Sequence, residues 1–355
     1  IGNFMDAKYL QITESIKRQI RNGDYLIEKV PSERKLADSF GVSYMTARRA
    51  VQQLIEDRFF LRCENGRLAI GPAAVENAGR LNVVLVLPNW PIPSLDKWRK
   101  ALYELVRERN GVLKTVYFDH EDDNVIQEAL TGDFSRVFLE LPVIPELTRQ
   151  RLCGMRDKVV LLQHDLTDFG LTCLDAASPE NMGLLVDHLH MLGHRKIALL
   201  NTQPLNEVIT GRIEVFRRRS AELGLEHQFF NAPVNTFERA DHKAYELAGG
   251  IIRRNCFSGT GIVTTTIEAA IGTLRAVHDN GMRPGKEISV CAYGGLESAR
   301  LSIPSITVIC ATDIERQCRN LLCDILDRRT PERLLYSWEK MSIWQGESSG
   351  PVLPQ

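Results

Sequence analysis

The sequence predicts an α/β protein in two parts: a winged helix-turn-helix over residues 1–71 and, beyond a linker at 72–80, a doubly wound region of two lobes over 81–355. Three features carry that expectation. Residues 30–67 hold two short helical patterns joined through Gly41 and followed by a hairpin turn. Residues 71–79 form a break of small and polar residues. Beyond the break, short apolar runs alternate with helix-length amphipathic segments. A chain of 355 residues is too long for one small helical domain and long enough to bury a second, larger core.

Ile12, Ile16 and Ile20 stand at helical spacing and give a first helix that ends at Asn22-Gly23. Pro31 and Ser32 then open a short helix with Leu36, Ala37 and Phe40 on one side, and Gly41 ends it. Val42 turns inward and Ser43 caps the next helix, where Ala47, Ala50, Val51, Leu54 and Ile55 make one apolar stripe. Its opposite face holds Tyr44, Met45, Arg48, Arg49 and Gln52. A DNA major groove needs such a face, with donors for base edges and guanidiniums for phosphate or guanine. FFLRC, the turn Glu64-Asn65-Gly66 and RLAI read as a hairpin, because Asn-Gly tolerates the positive φ of a tight turn. Arg67 stands at its tip. Two helices alone read more readily as an ordinary amphipathic hairpin; the order of the parts decides for a wing.

Residues 1–72 hold 12 Lys and Arg against 9 Asp and Glu, and the remainder 32 against 36, so the basic groups lean toward the N-terminal part. With 44% hydrophobic residues and a net charge of −1, the whole is an ordinary globular composition. The first thirty residues lack an apolar signal core, and no apolar run approaches the roughly 20 residues that span a bilayer, so a cytoplasmic protein without a membrane partner is expected. Eight cysteines form no CxxC pair and are read as buried free thiols rather than zinc ligands or disulfides.

Past the linker, NVVLVL (82–87), KTVYF (114–118), RVFLEL (136–141), KVVLL (158–162), KIALL (196–200), GIVTT (261–265) and EISVCAY (287–293) suit strands buried on both faces of parallel sheets. Strand-helix alternation of this length implies two doubly wound lobes.

The N-terminal segment resembles the winged helix of the GntR family of bacterial transcription regulators. The resemblance runs from Tyr9-Leu10-Gln11-Ile12 through PSER at 31–34 and GVS-x-x-T-x-R at 41–48 to the wing glycine. It implies DNA contacts at Arg34, Ser43, Thr46, Arg48 and Gly66, to which the groove-facing Tyr44 and Arg49 and the turn residues Asn65 and Arg67 are added. Two places depart: Tyr44 replaces the usual arginine, and Ile27-Glu28 replaces Pro-Gly. Tyr44 brings a hydroxyl and a ring without charge, so restoring arginine there is expected to add a phosphate or guanine contact.

The second region resembles the effector-binding core of the LacI/GalR regulators, which is like the periplasmic-binding-protein fold. Asn181-Met182-Gly183 leads to LGHR-x-I at 192–197; Gly211-Arg212-x-x-x-Phe216, Ala221-Glu222-Leu223-Gly224, Ala270-x-Gly272, EISV at 287–290 and Ile306-Thr307-Val308 follow in family order. The resemblance implies a small-molecule site between the lobes, at the carboxyl ends of the strands. The family's Asn-Asp and Phe-Asp pairs are here Thr266-Ile267 and Tyr293-Gly294, and the aromatic pair after Pro93 is Ser94-Leu95. Arg212 alone keeps the family's effector chemistry. The candidate effector residues are Trp90, Ser94, Arg212, Thr266 and Tyr293. Arg212 suits a carboxylate, a phosphate or a sugar edge, unless it pairs with a carboxylate such as Glu268; Trp90 is either lid packing or a stacking platform.

Other chemistry is weak. His188, His190 and His194 suggest a metal, but Gly193 interrupts the helix between the last two, and none is assigned. His120-Glu121-Asp122-Asp123 follows a strand and reads as a solvated loop, and no nucleophile elbow, phosphate loop or zinc-protease motif occurs. The expectation is a non-enzymatic, cofactor-free transcription regulator, a repressor acting as a homodimer on double-stranded operator DNA and sensing a small molecule, a sugar or related metabolite. The alternative is a DNA-binding protein whose degenerate sensor serves only dimerisation or a protein partner.

Overall fold

Local signals decide most of the elements in this computed structural model, which describes residues 2–25, 30–75, 81–90, 92, 95–175, 178–235, 238–328 and 332–352. The chain forms two compact units, Ile1–Asn89 with Arg99–Val160, and Trp90–Trp98 with Leu161–Gln355.

The first unit opens with α1 (Gly2–Arg21), α2 (Glu33–Phe40) and α3 (Tyr44–Glu56), then the hairpin β1 (Phe60–Arg62) and β2 (Leu68–Ile70). Ser32 accepts from Lys35 N and Ser43 from Thr46 N, so both helices start on the side-chain caps the sequence provides. Gly41, at φ +59°, takes the left-handed turn that ends α2 and lets α3 leave in a new direction. Ile16, Leu36, Ala50, Val51, Leu54 and Phe60 close a core between the helices and the hairpin, which alone makes two short helices persist. Phe60 pairs with Ile70 and Arg62 with Leu68, leaving Gly66 at φ +77° in the turn. The expected linker opens instead as a helical turn, α4 (Pro72–Val75), because Gly71 N and Ala73 N donate to Phe59 O and Arg58 O. Residues 76–80 lie outside the described residues.

The chain then runs through β3 (Asn82–Pro88), α5 (Asp96–Glu108), β4 (Val112–Phe118), α6 (Asn124–Thr131), β5 (Arg136–Leu139), α7 (Glu146–Cys153) and β6 (Val159–Leu162). β3 lies parallel between β4 and β5 and is buried on both faces, which its unbroken apolar run requires.

In the second unit β7 (Thr172–Leu174) is followed by α8 (Met182–Met191), β8 (Lys196–Asn201), α9 (Glu207–Glu222), β9 (Glu226–Asn231), α10 (Ala240–Arg253), β10 (Gly261–Thr264), α11 (Ile267–Asp279), β11 (Ser289–Tyr293), α12 (Leu296–Leu301), β12 (Thr307–Ala311), α13 (Ile314–Asp327), β13 (Leu335–Tyr336) and β14 (Met341–Trp344). A six-stranded sheet runs β14-β12-β11-β10-β8-β9, parallel except for β14. Alternate strand residues face opposite layers. Leu200, Ile262 and Val290 pack with α10 and α11, while Leu199, Val263 and Cys291 pack with α8 and α9. The chain's own sequence therefore builds a doubly wound lobe. The edge strand β9 escaped the pattern of apolar runs because Glu226, His227 and Gln228 are exposed.

None of the eight cysteines forms a disulfide; four are buried, but Cys63 and Cys256 are exposed, contrary to the expectation of buried thiols. Cys63 sits beside the hairpin turn, where no core reaches it, and Cys256 just past the end of α10.

Candidate functional site

Two surfaces collect the predicted residues. On the first, Arg34, Tyr44, Met45, Arg48, Asn65, Gly66 and Arg67 are all exposed on α2, α3 and the hairpin turn. The Tyr44 hydroxyl donates to Glu33 Oε2 at 2.7 Å, and Arg62 Nη2 donates to Glu33 Oε1 at 2.5 Å, so one carboxylate joins the start of α3 to the hairpin. Burial pushes the Glu33 carboxyl up, but the bonds from Tyr44 and Arg62 outweigh it and hold the group below its usual range. Arg62 Nη1 also donates to Gly66 O at 3.3 Å, and Asn65 Oδ1 accepts from Arg67 N at 3.1 Å, fixing the turn. Of the other three expected contacts, Ser43 and Arg49 are exposed and Thr46 is buried. Ser43 and Thr46 share a hydroxyl–hydroxyl bond of 2.9 Å, with Thr46 buried by the α3 core, and the Arg49 guanidinium lies 4.2 Å above the Tyr9 ring, against α1.

The second surface lies at the carboxyl ends of β8, β10 and β11. Asn206 caps α9 by accepting from Ile209 N at 3.0 Å and so presents Arg212 one turn inside that helix. Arg212 Nη1 donates to Thr265 O at 2.9 Å, and its guanidinium carbon stands 3.8 Å from the Tyr293 ring centroid. Arg212 Nε, Tyr293 Oη and Thr202 Oγ1 are buried with no hydrogen-bond partner. Burial lowers the Arg212 pKa against the pull of Tyr293, Asp175 and Glu268, and burial raises the Tyr293 phenol. Glu268, the alternative partner for Arg212, makes no ion pair with it. Thr266 is committed elsewhere, since its hydroxyl accepts from Ala269 N to cap α11. Trp90 is half-buried after β3, and Ser94 lies outside the described residues.

Residues 8–66 match the family description "Bacterial regulatory proteins, gntR family", and residues 186–335 match the "Periplasmic binding protein-like domain". A GntR-type helix-turn-helix thus precedes a periplasmic-binding-protein-like domain. This chain is a transcription regulator. Over 346 residues it is 21% identical to the arabinose metabolism transcriptional repressor of Geobacillus stearothermophilus, covering 92% of this chain and 93% of the relative. Among solved structures, a LacI family transcriptional regulator from Enterococcus faecium with bound ribose matches with a TM-score of 0.63 at 17% identity, covering 77% of this chain and 100% of the other. The regulator CCPA from Weissella paramesenteroides with bound sucrose matches at 0.64 and 20%, over 77% and 100%.

The regulator also has a cluster that sequence reading missed. Asp175, nearly fully buried at φ +62°, accepts from Trp98 Nε1 at 2.7 Å and Trp338 Nε1 at 2.5 Å, and Lys97 Nζ lies 3.0 Å away. The two indoles stack at 5.1 Å between centroids. No spacing in the sequence links these residues; the signal available was a lone acid closing the short strand TCL. Two of the three histidines weighed for metal, His188 and His194, are structural joints of this regulator. His188 Nε2 meets Ser349 Oγ at 2.9 Å, and His194 meets Thr260 Oγ1 at 2.7 Å and Ser289 Oγ at 3.1 Å. Among the described residues no cluster of metal-ligating side chains occurs, and no helix is long and apolar enough to cross a membrane.

Proposed function

We propose that the regulator is a repressor whose operator binding answers to a small polyhydroxylated metabolite, a sugar or a relative of one, held at the carboxyl ends of β8, β10 and β11. The observation that carries this reading is the set of three buried, unpaired polar atoms, Arg212 Nε, Tyr293 Oη and Thr202 Oγ1, on neighbouring strand ends and the helix beside them. Each unmade bond costs on the order of 1–3 kcal/mol, so a ligand that completes them favours the state that binds it. The name of the Geobacillus relative and the ribose and sucrose in the solved structures point toward carbohydrate.

On this reading residues 1–71 bind DNA, 72–80 link, and 81–355 bind effector and dimerise, as a homodimer in the cytoplasm. The loss of acids at Ile267 and Gly294 favours instead a degenerate domain serving only assembly or a protein partner; the retained Arg212 argues against it. Thermal-shift screening against sugars, sugar phosphates, nucleobases and organic acids tests this, because a ligand of the native state raises the melting temperature. Calorimetry of each hit with Arg212→Ala follows. A weakening of about tenfold or more supports the site, and undiminished affinity places it elsewhere.

A further inference from the structure

Arg212 is a half-buried arginine whose Nε is fully enclosed and whose contacts are all to neutral groups. Nη1 bonds the Thr265 carbonyl, the planar face rests on Tyr293, and Nε bonds nothing. Among the described residues no carboxylate forms an ion pair with it. Two acids are close enough to influence it: Asp175 already serves two indole N–H groups and the Lys97 ammonium, and Glu268 acts on Arg212 only through space, without an ion pair. Ile267 follows Thr266 and Gly294 follows Tyr293, so neither of these strand ends brings a carboxylate at that position. A buried charge without an opposite charge is among the costliest groups a protein holds, and it normally finds a counter-ion.

We propose that the effector carries an oxyanion, as a sugar acid or a sugar phosphate does, and that this group supplies the counter-charge Arg212 lacks. The inference rests on the reading of these strand ends as the effector site. Guanidinium is a donor without acceptor capacity and an oxyanion an acceptor without donors, so the open Nε edge matches such a group in both charge and hydrogen bonding. The Thr202 and Tyr293 hydroxyls, each more than nine-tenths buried and unpaired, can donate to the same oxyanion or hold a neighbouring hydroxyl.

Calorimetry of the full chain decides it, with D-glucose, D-galactose, D-ribose and L-arabinose each tested beside its sugar acid and its terminal phosphate ester. The expected result is an acid or a phosphate binding about tenfold or more tightly than its neutral parent, and the arm that binds identifies carboxylate or phosphate. Arg212→Gln removes that preference. Should that variant fail to fold, Gly294→Asp gives a second reading. It sets a carboxylate directly after Tyr293, at a position with open space and a φ of +76°, which aspartate tolerates better than most residues, and it equalises or reverses the preference. A neutral parent that binds as tightly as its acid, with Arg212→Gln weakening both alike, overturns the anionic class and leaves the site standing. A preference that survives both substitutions assigns the anion to another group and overturns the proposal. Binding of no compound in the set overturns the proposal and the site together.

Discussion

Glu33 sets a carboxylate among the arginines of this surface, Arg34, Arg48, Arg62 and Arg67. The Tyr44 and Arg62 bonds hold its carboxyl below the usual range, and the bond from Tyr44 raises the Tyr44 phenol. A guanidinium placed at Tyr44 therefore meets Glu33 before it meets a phosphate. Tyr44→Arg alone should leave the salt dependence of operator binding almost unchanged, whereas Tyr44→Arg with Glu33→Gln should steepen it by about one unit of slope. A full unit from the single substitution would show that the side chain swings clear of Glu33 on DNA. Arg48 is exposed one turn into α3, and Arg48→Ala should weaken binding to a selected operator by about 1–3 kcal/mol in fluorescence anisotropy. Unchanged affinity removes Arg48 from the interface.

At the scale of elements, α10 and α11 pack so closely that a Cβ on Gly272 would lie 1.9 Å from the Asp241 carbonyl oxygen. Gly272→Ala must part the helices and should destabilise the lobe by about 1–3 kcal/mol in thermal melts. Gly183→Ala is the control, since its Cβ would meet Arg219 Cγ and Val215 Cγ1 at ordinary distances of 3.7 and 3.8 Å. Equal losses would mean that the close approach is not what Gly272 provides. The C-terminal segment Ser348–Gly350 is held to the same lobe by hydroxyls and by His188 and His194, whose pKa values burial lowers. Depressed histidines bind fewer protons folded than unfolded, so their contribution is present above the unfolded pKa near 6.5 and is lost as pH falls through the folded values. The melting temperature should drop between neutral pH and pH 5, and the drop should shrink in His188→Gln/His194→Gln. An undiminished drop would assign the acid sensitivity to other groups.

For the whole molecule, a single winged helix reads few base pairs, so useful specificity calls for two copies on a palindromic operator. Sedimentation at micromolar concentration should give a dimer, and selection from random duplexes a site with two related halves. A monomer or an unpaired half-site would remove that arrangement. An effector acts on DNA only by its differential affinity for the conformations that position the winged helices, and a ligand bound equally by both would transmit nothing.

Whatever depends on neighbours in the chain was legible from the chain. Ser32, Gly41 and Ser43 mark helix ends by local capping, Asn65-Gly66 marks the turn by its tolerance of positive φ, and runs such as NVVLVL mark strands buried on both faces. Arg212 and Tyr293 were each singled out by sequence, but their contact, and the orphaned Nε beside it, follow from the strand order that sets β8, β10 and β11 edge to edge. The same holds where the reading missed. The Trp98 and Trp338 indoles reach Asp175 across 77 and 163 residues, and Glu33 reaches Arg62 across 29, distances over which periodicity carries no information. Thr266 and Thr46 are local cases that the reading passed over, since the Thr266 hydroxyl accepts from Ala269 N and the Thr46 hydroxyl meets that of Ser43, each only three residues away at a helix start. Local propensity and pattern determine elements from sequence; the pairing of polar groups is decided by topology, because a buried donor bonds whatever the fold brings within reach.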